Sequence, residues 1–460
     1  MSPLPYHGSM RPEFDELASR TDLDRECAAS DFALGTWRRF TDRDPERDVI
    51  VAVIGAGFMG RGLVHQLGRC PGIRPAVVAN RRSGPAVAAF EGAGWEAADV
   101  LVCDDPDEIA SAVDGRRPVV THDARLAASL PPVDVVVEAT GAMTHGARTI
   151  MTALEHGKHV VSLNAEVDAT IGTLLHGRAS EQGAVYSIAD GDQPGVLLRQ
   201  LSFVSSLGFE IVAAVNCKRN LDVHQNPDDS RPYAERDGTS VHMTTAFGDG
   251  TKMQIENVVV ANLTGLVPDR RGMHGVRTTL ERGANDIAAV LSRVGVVDYT
   301  LGGDFGGGVC VVGRSEEPEH VRDYMRYAKM GEGPNYLFFR PYHLMHMEVP
   351  ATIADIMVHG MGLGRARGAP VAEAVAIAKK DLRPGDALDG IGGFCCYGHI
   401  DNAASAHELL PIGLAEHARM IAPVDRDQPI PRGAVELDEE AEIVRLRAVQ
   451  DEMVGSAAPV

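Results

Sequence analysis

The sequence predicts an α/β protein whose first half is a parallel sheet covered by helices on both faces. Two observations predict this class. Valine- and isoleucine-rich runs, the composition of strands buried on both faces, alternate with segments of helical periodicity. A glycine-rich turn also follows the first of these runs, in "VAVIGAGFMGRGL" at 51–63. Together they indicate a doubly wound sheet that binds its ligand at the carboxyl ends of the strands.

Six strands are predicted in this first half, in "DVIVAVIGAG", "IRPAVVANR", "RRPVVTHDA", "VDVVVEATG", "KHVVSLNAE" and "AVYSIADGD". From about residue 195, glycine turns predict an α+β unit of antiparallel strands, in "EIVAAVNCKRNL", "VHMTTAFGDGTKMQIENVVVAN" and "VVDYTLGGDFGGGVCVVG", with helices such as 279–294 between them. Near 366 a small β-rich unit begins. In it "AIAKKDLRPGDALDGIGG" and "APVDRDQPIPRGAVEL" share a loose pattern about 45 residues apart.

These patterns divide the chain into five parts. They are an N-terminal arm at 1–48, a cofactor-binding domain at 49–165, an α+β domain at 166–365, the β-rich domain at 366–445 and a tail at 446–460, whose end "GSAAPV" we expect to be disordered.

Composition excludes several classes of protein. A net charge of −20 without a basic block argues against a nucleic-acid partner. No run of 18 apolar residues predicts a membrane span, and the acidic first 20 residues do not resemble a signal peptide, so we expect a cytoplasmic protein. Seven cysteines without a CxxC spacing favour free buried thiols over disulfides or a zinc site.

Gly55, Gly57 and Gly60 form a G-x-G-x-x-G motif between a strand and a helix, the context that a Rossmann dinucleotide-binding fold requires. Gly55 allows the tight turn, Gly57 lets the pyrophosphate approach the backbone, and Gly60 lets helix and strand pack. Phe58 and Met59, between the last two glycines, are counted with the cofactor site. The alternative is a plain strand–helix turn.

The second strand ends in Asn80, Arg81 and Arg82, where NAD enzymes usually carry Asp or Glu. An acidic residue there binds the ribose 2′-hydroxyl and repels a 2′-phosphate. The two guanidinium groups instead offer donors to that phosphate, and Asn80 can bond the ribose. The stretch therefore predicts NADPH as the cofactor. Two solvated arginines on a loop are the alternative.

Three more residues are predicted to contact the cofactor. Thr140 and Gly141 end the strand "VDVVVEATG" beside the nucleotide, and Asn164 follows the next strand in "VVSLNAEVD". The alternative for Thr140 and Gly141 is an ordinary turn at a strand end.

Acidic residues follow two neighbouring strands. Asp190 and Asp192 are spaced so that both carboxylates could bind one hard cation, Mg²⁺ or Mn²⁺, and we predict a metal site here. Capping of the next helix is an equal alternative there. It is the favoured interpretation for a second acidic pair, Glu166 and Asp168.

Four residues are candidates for catalysis. Lys218 ends a predicted strand facing the same cleft and could polarise a carbonyl or take a hydroxyl proton. Arg340, Tyr342 and His343 lie in a stretch dense in polar side chains, and an arginine beside Tyr and His suits a substrate phosphate or carboxylate.

The motifs together resemble one group, the homoserine-dehydrogenase-like oxidoreductases with a C-terminal SAF-type domain. The resemblance covers about 30–445 and rests on "VIGAGFMGRG", "SLNAEVDATIG", "ADGDQPGV", "YLFFRPYHL", "KKDLRPGDALDGIGGFCCYGHID" and "LPIGLAEHA". Two positions depart from homoserine dehydrogenase itself: Ala165 follows Asn164, where that family has Lys, and the turn at 190–192 carries acidic residues.

The characterised class of this group is the DXR-like (DRL) reductoisomerase. The resemblance implies NADPH-dependent conversion of 1-deoxy-D-xylulose 5-phosphate to 2-C-methyl-D-erythritol 4-phosphate, an isoprenoid precursor of the MEP pathway. It also implies a homodimer with a central catalytic and dimerisation domain at 166–365 and an SAF-like domain at 366–445. Two alternatives stay open. One is an NADP-dependent dehydrogenase of another small polyol, hydroxy acid or aldehyde such as homoserine, and the other is a non-catalytic NADP-binding sensor.

Overall fold

A computed structural model describes residues 34–43 and 47–457. Its first sheet has seven strands: β1 (Val49–Ile54), β2 (Ile73–Ala79), β3 (Leu101–Val102), β4 (Val119–Thr121), β5 (Val135–Glu138), β6 (His159–Ser162) and β7 (Tyr186–Ile188). They lie in the order β3-β4-β2-β1-β5-β6-β7, and every neighbouring pair is parallel. The α/β class and the six predicted strands are confirmed. The two-residue β3 was not predicted, because it is too short to give a pattern.

Helices cover this sheet on both faces: α1 (Gly35–Asp42), α2 (Phe58–Gly68), α3 (Ser83–Gly92), α4 (Pro106–Asp114), α5 (Ala124–Ser129), α6 (Met143–Glu155) and α7 (Ala165–Glu181). The central strand β1 is buried, and the side chains of Val51, Val53 and Ile54 are fully inaccessible to solvent. Helix α1 belongs to the predicted N-terminal arm and packs through Phe40. Residues 1–33 and 44–46 of that arm lie outside the described residues.

The second sheet contains β8 (Glu210–Lys218), β9 (Val267–Pro268), β10 (Val276–Arg277), β11 (Val296–Leu301), β12 (Val309–Arg314) and β13 (Asn335–Arg340). It is mixed. Strand β12 runs antiparallel to β8, as predicted, but β11 pairs with β8 in parallel. Strand β13, which was not predicted, pairs antiparallel with β12. The helices of this region are α8 (Gln193–Ser206), α9 (Pro227–Asp237), α10 (Val241–Gly248), α11 (Thr251–Thr264), α12 (Gly283–Val290), α13 (Pro318–Tyr327) and α14 (Val349–His359).

The prediction of strands at 241–262 was wrong, because this stretch forms α10 and α11. Twelve of the fourteen residues of α11 are buried. A helix buried on all sides has no polar face, so the periodicity that reveals a surface helix is missing.

The C-terminal unit is built from β14 (Ala372–Ala378), β15 (Cys396–Asn402), α15 (Ala403–Ala406), β16 (Ala418–Met420), β17 (Val435–Leu437) and α16 (Glu442–Ala457). The two predicted sequence repeats meet here, since Leu382 and Val424 exchange both backbone hydrogen bonds, at 2.8 and 3.0 Å. Much of the predicted tail is helical, because α16 continues to Ala457. Within the described residues, no helix is long and apolar enough to cross a membrane.

Candidate active site

The glycine-rich turn between β1 and α2 has the geometry of a phosphate-binding loop. Gly55 has a φ of +100°, and a Cβ atom on Gly60 would lie 1.9 Å from the carbonyl oxygen of Gly55. Both positions therefore require glycine. A Cβ on Gly57 would meet no atom within 4 Å, which leaves open space at the start of α2. The free backbone N–H groups there can receive a pyrophosphate, so these residues fit a bound dinucleotide.

The two arginines after β2 are available to a ligand. Arg81 and Arg82 are exposed, and their side chains make no hydrogen bond or ion pair with any other described residue. Asn80 has a different role, because its Oδ1 accepts from the backbone N of Ala56 (3.2 Å) and its Nδ2 donates to the carbonyl of Arg82 (2.7 Å). Its side chain thus fixes the arginine loop against the glycine turn.

Phe58 and Met59 occupy the first turn of α2, and the side chain of Phe58 is half exposed. They border the open space at Gly57. Hydrophobic residues at this place can cover the cofactor but carry no charge for it.

At the predicted nicotinamide end of the site, buried side chains hold the backbone in place through hydrogen bonds. The buried carboxylate of Glu138 accepts from the backbone N of Thr140 (2.9 Å) and from its hydroxyl. Gly141 adopts a φ of +64°. Asn164 is fully buried, and its Oδ1 accepts from the N of Val167 at 3.3 Å. The amide of Asn164 therefore caps α7.

A buried ion pair lies directly beyond this end. Lys252 on α11 places its Nζ 2.9 and 3.1 Å from the two carboxylate oxygens of Glu166 on α7, and both side chains are at most 5% exposed. Burial alone lowers the pKa of Lys252, but the surrounding carboxylates, led by Glu166, outweigh it and raise that pKa. The lysine therefore stays an ammonium ion at all physiological pH values.

More titratable groups surround this ion pair. The carboxylate of Glu256, one helical turn after Lys252, accepts from Asn216 Nδ2 (3.0 Å), and burial together with the charge of Asp192 raises the pKa of Glu256. Burial lowers the pKa of Lys218. The amide oxygen of Asn216 has no hydrogen-bond partner among the described residues. It can accept a bond from a ligand hydroxyl.

This cluster combines a permanent cation with groups whose pKa values are shifted towards neutrality. Such an arrangement can polarise a carbonyl and move protons to and from neighbouring oxygens. Of its members, only Lys218 and Asp192 were predicted as site residues. Lys252 and Glu256 were missed, and Glu166 was interpreted as a helix cap. Their i, i+4 spacing would have placed Lys252 and Glu256 on one face, had the stretch been recognised as a helix.

The two carboxylates of the predicted metal site point to different partners. Asp190 is buried and bonded by Arg199 at 2.6 and 3.1 Å, whereas Asp192 lies within electrostatic reach of Lys252 and Glu256. No group of three or more His, Cys, Asp or Glu side chains in the described part of the chain is arranged to hold a metal ion. A cation between Asp190 and Asp192 would need Arg199 to move, and the metal stays a prediction.

The segment at 340–348 closes over the turn that carries these acidic residues. His343 Nδ1 lies 2.9 Å from the carbonyl oxygen of Gly191. Arg340 bonds both carboxylate oxygens of Glu348, at 2.8 and 2.9 Å, and stacks over the ring of Tyr342. Tyr342 is half exposed. The structure thus brings His343 to the acidic turn, while Arg340 already has a carboxylate partner.

A cavity of about 580 Å³ opens beside Glu166. The turn and helix start at 140–145 form one wall and the start of α10 at 240–243 another. The third wall belongs to the C-terminal unit, at 389–391, 412–413 and 416–417. Its size suits a small metabolite.

Two family models match the chain in succession. Residues 55–188 match the NAD-binding domain of homoserine dehydrogenase, and residues 191–349 match the catalytic domain of the oxidoreductase DRL. The chain is an NAD(P)-dependent oxidoreductase. The second match contains Lys218, Lys252 and Glu256, whereas Glu166 lies within the first match. Neither match reaches the C-terminal unit, whose SAF-type identity stays a prediction.

Two homoserine dehydrogenases are among the curated relatives of this oxidoreductase. This chain is 40% identical over 72 residues to homoserine dehydrogenase of Methylobacillus glycogenes, and the match covers 16% of this chain and 18% of that enzyme. It is 28% identical over 145 residues to homoserine dehydrogenase of Pseudomonas aeruginosa, covering 30% of this chain and 28% of that enzyme. The chain thus matches less than a third of the length of either enzyme.

Solved structures with similar folds include 1-deoxy-D-xylulose 5-phosphate reductoisomerase from Zymomonas mobilis in complex with NADPH. It is 14% identical, with a TM-score of 0.33, covering 47% of this chain and 58% of that chain. Another is apo scyllo-inositol dehydrogenase from Lactobacillus casei. It is 11% identical, with a TM-score of 0.41, covering 70% of this chain and 91% of that chain.

Proposed function

We propose that this oxidoreductase is an NADPH-dependent reductoisomerase of the DRL type, acting on 1-deoxy-D-xylulose 5-phosphate. One observation carries the proposal: the segment that matches the DRL catalytic domain supplies Lys218, Lys252 and Glu256, and these meet Glu166 at the start of α7 in one cluster. A homodimer in the cytoplasm that makes an isoprenoid precursor is part of the same proposal.

The proposed cofactor is NADPH, which supplies the hydride when bound. The open space at Gly57 and the α2 N-terminus suit its pyrophosphate, and the unpaired Arg81 and Arg82 suit its 2′-phosphate. Thr140 and Gly141 lie at the carboxyl end of β5, where the nicotinamide ribose is expected.

In the proposed reaction, the Lys252 ammonium ion binds the carbonyl oxygen of the ketose and stabilises the negative charge that develops on it. Lys218, with its lowered pKa, takes the proton of the neighbouring hydroxyl, so that the carbon skeleton can rearrange to a branched aldehyde. The rearrangement moves the negative charge to the former ketone oxygen, and Lys218 returns its proton to that oxygen. Glu256, with its raised pKa, returns a proton to the alkoxide formed when the aldehyde is reduced. Asn216 Oδ1 accepts from a substrate hydroxyl and orients it.

The substrate phosphate is assigned to the segment at 340–343. His343 and the exposed Tyr342 offer donors there, and Arg340 becomes available if Glu348 releases it. The cavity beside Glu166 gives the sugar chain room on the side of the C-terminal unit.

The proposal is tested by incubating the protein with NADPH and 1-deoxy-D-xylulose 5-phosphate and determining the carbon skeleton of the product by NMR. A branched product, 2-C-methyl-D-erythritol 4-phosphate, is expected. Oxidation of NADPH with an unbranched product would contradict the reductoisomerase. A parallel assay in chelator, with Mg²⁺ or Mn²⁺ added back, tests the metal separately, because turnover in chelator would remove the metal and keep the reaction.

A second candidate is an NADP-dependent dehydrogenase of another small polyol, hydroxy acid or aldehyde such as homoserine. The match of residues 55–188 to homoserine dehydrogenase favours it. Simple hydride transfer needs one polarised carbonyl, and Lys252 suffices for that. Since Ala165 replaces the lysine of the homoserine dehydrogenase pattern, Lys252 is the cation that would act in either reaction. NADP reduction with homoserine, without turnover of the phosphosugar, would favour this candidate.

A further inference from the structure

The C-terminal unit contacts the start of α11, the helix that carries Lys252, through the buried side chain of Lys379. Lys379, which directly follows β14, donates from its Nζ to the carboxylate of Asp249 (2.7 Å), the carbonyl of Gln225 (2.7 Å) and the carbonyl of Gly393 (2.8 Å). These three bonds use all three N–H groups of the ammonium ion. The side chains of Lys379 and Asp249 are 3% and 0% exposed, so the pair is isolated from solvent.

Asp249 connects Lys379 to α11. Its other carboxylate oxygen accepts from the backbone N of Thr251 (2.8 Å), the first residue of the helix. Lys252 is the next residue. The position of the Lys252 backbone is therefore tied to that of Lys379, although the two belong to different parts of the fold.

Strand β15 of the C-terminal unit adds two further bonds to the same helical turn. The backbone N of Gly398 donates to Thr251 Oγ1 (2.8 Å), and the backbone N of Ile400 donates to Gln254 Oε1 (2.9 Å). Both acceptors flank Lys252 on α11. Hydrogen bonds from the C-terminal unit thus hold the helical turn that carries Lys252.

We propose that the C-terminal unit positions the catalytic Lys252, and that Lys379 and Asp249 are positioning residues for it. The inference rests on the proposed function. A buried ion pair contributes little net stability compared with apolar side chains of the same volume, because desolvation opposes the attraction. Its directional bonds instead define where the first turn of α11 lies. A displacement of Lys252 by about 1 Å can lower turnover about 10²-fold.

The test compares Lys379→Met, Asp249→Asn and the double variant with the unchanged enzyme. For each, kcat and KM are measured per NADPH-binding site, so that unfolded protein does not count. We expect kcat about 10²-fold lower in both single variants, unchanged NADPH affinity, and a double variant no worse than the poorer single variant. In Asp249→Asn the pH–rate limb of Lys218 also moves to lower pH, because the Asp249 carboxylate raises the pKa of Lys218.

Arg447→Gln is the matched control. Arg447 forms another buried ion pair of the C-terminal unit, with Glu373 at 2.6 Å, but makes no bond to α11 in the described structure. This variant should lose thermal stability and keep kcat per binding site. Thr251→Val, which removes the acceptor for Gly398, is the milder variant if Lys379→Met does not fold, and it should lower kcat without changing KM.

Unchanged kcat per binding site in the Lys379, Asp249 and Thr251 variants would overturn the inference. So would an equal loss in Arg447→Gln, because the unit would then act only through global stability. Lys252→Met separates the two levels of the argument. If this variant keeps its turnover, the proposed function of the lysine fails; if it is inactive while Lys379→Met is fully active, only the positioning role fails.

Discussion

The cofactor end and the catalytic cluster of this oxidoreductase handle charge in opposite ways. At the cofactor end, the side chains of Arg81 and Arg82 are exposed and have no partner in the described part of the chain, and the phosphate-binding turn is made of backbone and glycine. In the cluster, Lys252 and Glu166 are almost fully buried and bonded to each other. The exposed arginine side chains are free to bind a ligand, whereas Lys252 and Glu166 already bind each other.

This difference sets what a substitution can change. A charge in solvent contributes little to folding, so its replacement changes the affinity for a ligand and leaves the fold intact. Removing one partner of a buried ion pair leaves the other uncompensated and costs about 3–5 kcal/mol of stability. Variants of the cluster should therefore change stability and turnover together, and variants of the cofactor end should change affinity alone.

The largest effect is expected for Lys252→Met. Turnover of 1-deoxy-D-xylulose 5-phosphate should fall about 10³-fold, as expected for the loss of a positioned group that stabilises the developing negative charge. The melting temperature should also fall, because the Glu166 carboxylate loses its cation. NADPH affinity, measured by fluorescence titration, should stay nearly unchanged.

The double variant Lys252→Met/Glu166→Gln provides the control for this prediction. Replacing the carboxylate removes the uncompensated charge, so stability should recover in part while turnover stays low. Recovery of turnover together with stability would show that Lys252 only supports the fold. The cofactor end and the cluster would then differ only in how far their charged side chains are buried.

The same contrast explains which parts of the site could be predicted from the sequence. The functions of Gly55 and Gly60 are local, since each depends on a turn of a few residues, and the strand before them is a continuous apolar run. Such signals are visible without any knowledge of distant contacts. The strands of the first sheet and the arginines after β2 were predictable for this reason.

The cluster could not be found in this way, because its members come together only in the folded chain. In α11 the residues "KMQIE" at 252–256 alternate between polar and apolar, which is the pattern of a half-buried strand. Their polar side chains are not in solvent, however. Gln254 bonds β15, and Glu256 bonds Asn216 on β8. Tertiary hydrogen bonds thus replace water on every side of the helix and hide its periodicity.

Lys218→Ala should have the next largest effect, about a 10²-fold lower kcat. Lys218 is only partly buried and has no carboxylate in direct contact among the described residues, so the variant should keep its melting temperature, in contrast to Lys252→Met. Steady-state kinetics and thermal unfolding on the same samples check both expectations. Unchanged turnover would show that Lys218 is not needed for catalysis and that the buried Lys252–Glu166 pair supplies the catalytic charge.

A smaller effect is expected at the cofactor end. Arg81→Asp should weaken NADPH binding by about 1.5–3 kcal/mol through loss of a charge-assisted bond to the 2′-phosphate. NADH affinity and the melting temperature should not fall. Arg69→Asp, an exposed arginine at the far end of α2, is the matched control and should leave both affinities unchanged. Equal affinity of the unchanged protein for the two cofactors would contradict the assignment of NADPH.

The smallest effect separates burial from pairing within one helix. Asp168 lies on α7 two residues after Glu166 but faces Tyr186 and no cation, and burial raises its pKa to about 7. Because the folded protein holds this proton more tightly than the unfolded chain, stability is highest in acid and is lost as the pH rises from about 4 through 7. Asp168→Asn should remove that loss and raise the melting temperature by a few degrees at pH 8, with little change at pH 4.

Asp104 gives the opposite sign and serves as the control for this measurement. Hydrogen bonds from Thr121 and His122 lower its pKa to about 2, so its contribution is present at neutral pH and is lost as the pH falls through that value. Asp104→Asn should therefore lower the melting temperature slightly at pH 7, where Asp168→Asn raises it. If the two variants shifted the melting temperature in the same direction near neutral pH, the hydrogen bonds around each carboxyl group would not decide which of these groups stabilise the fold.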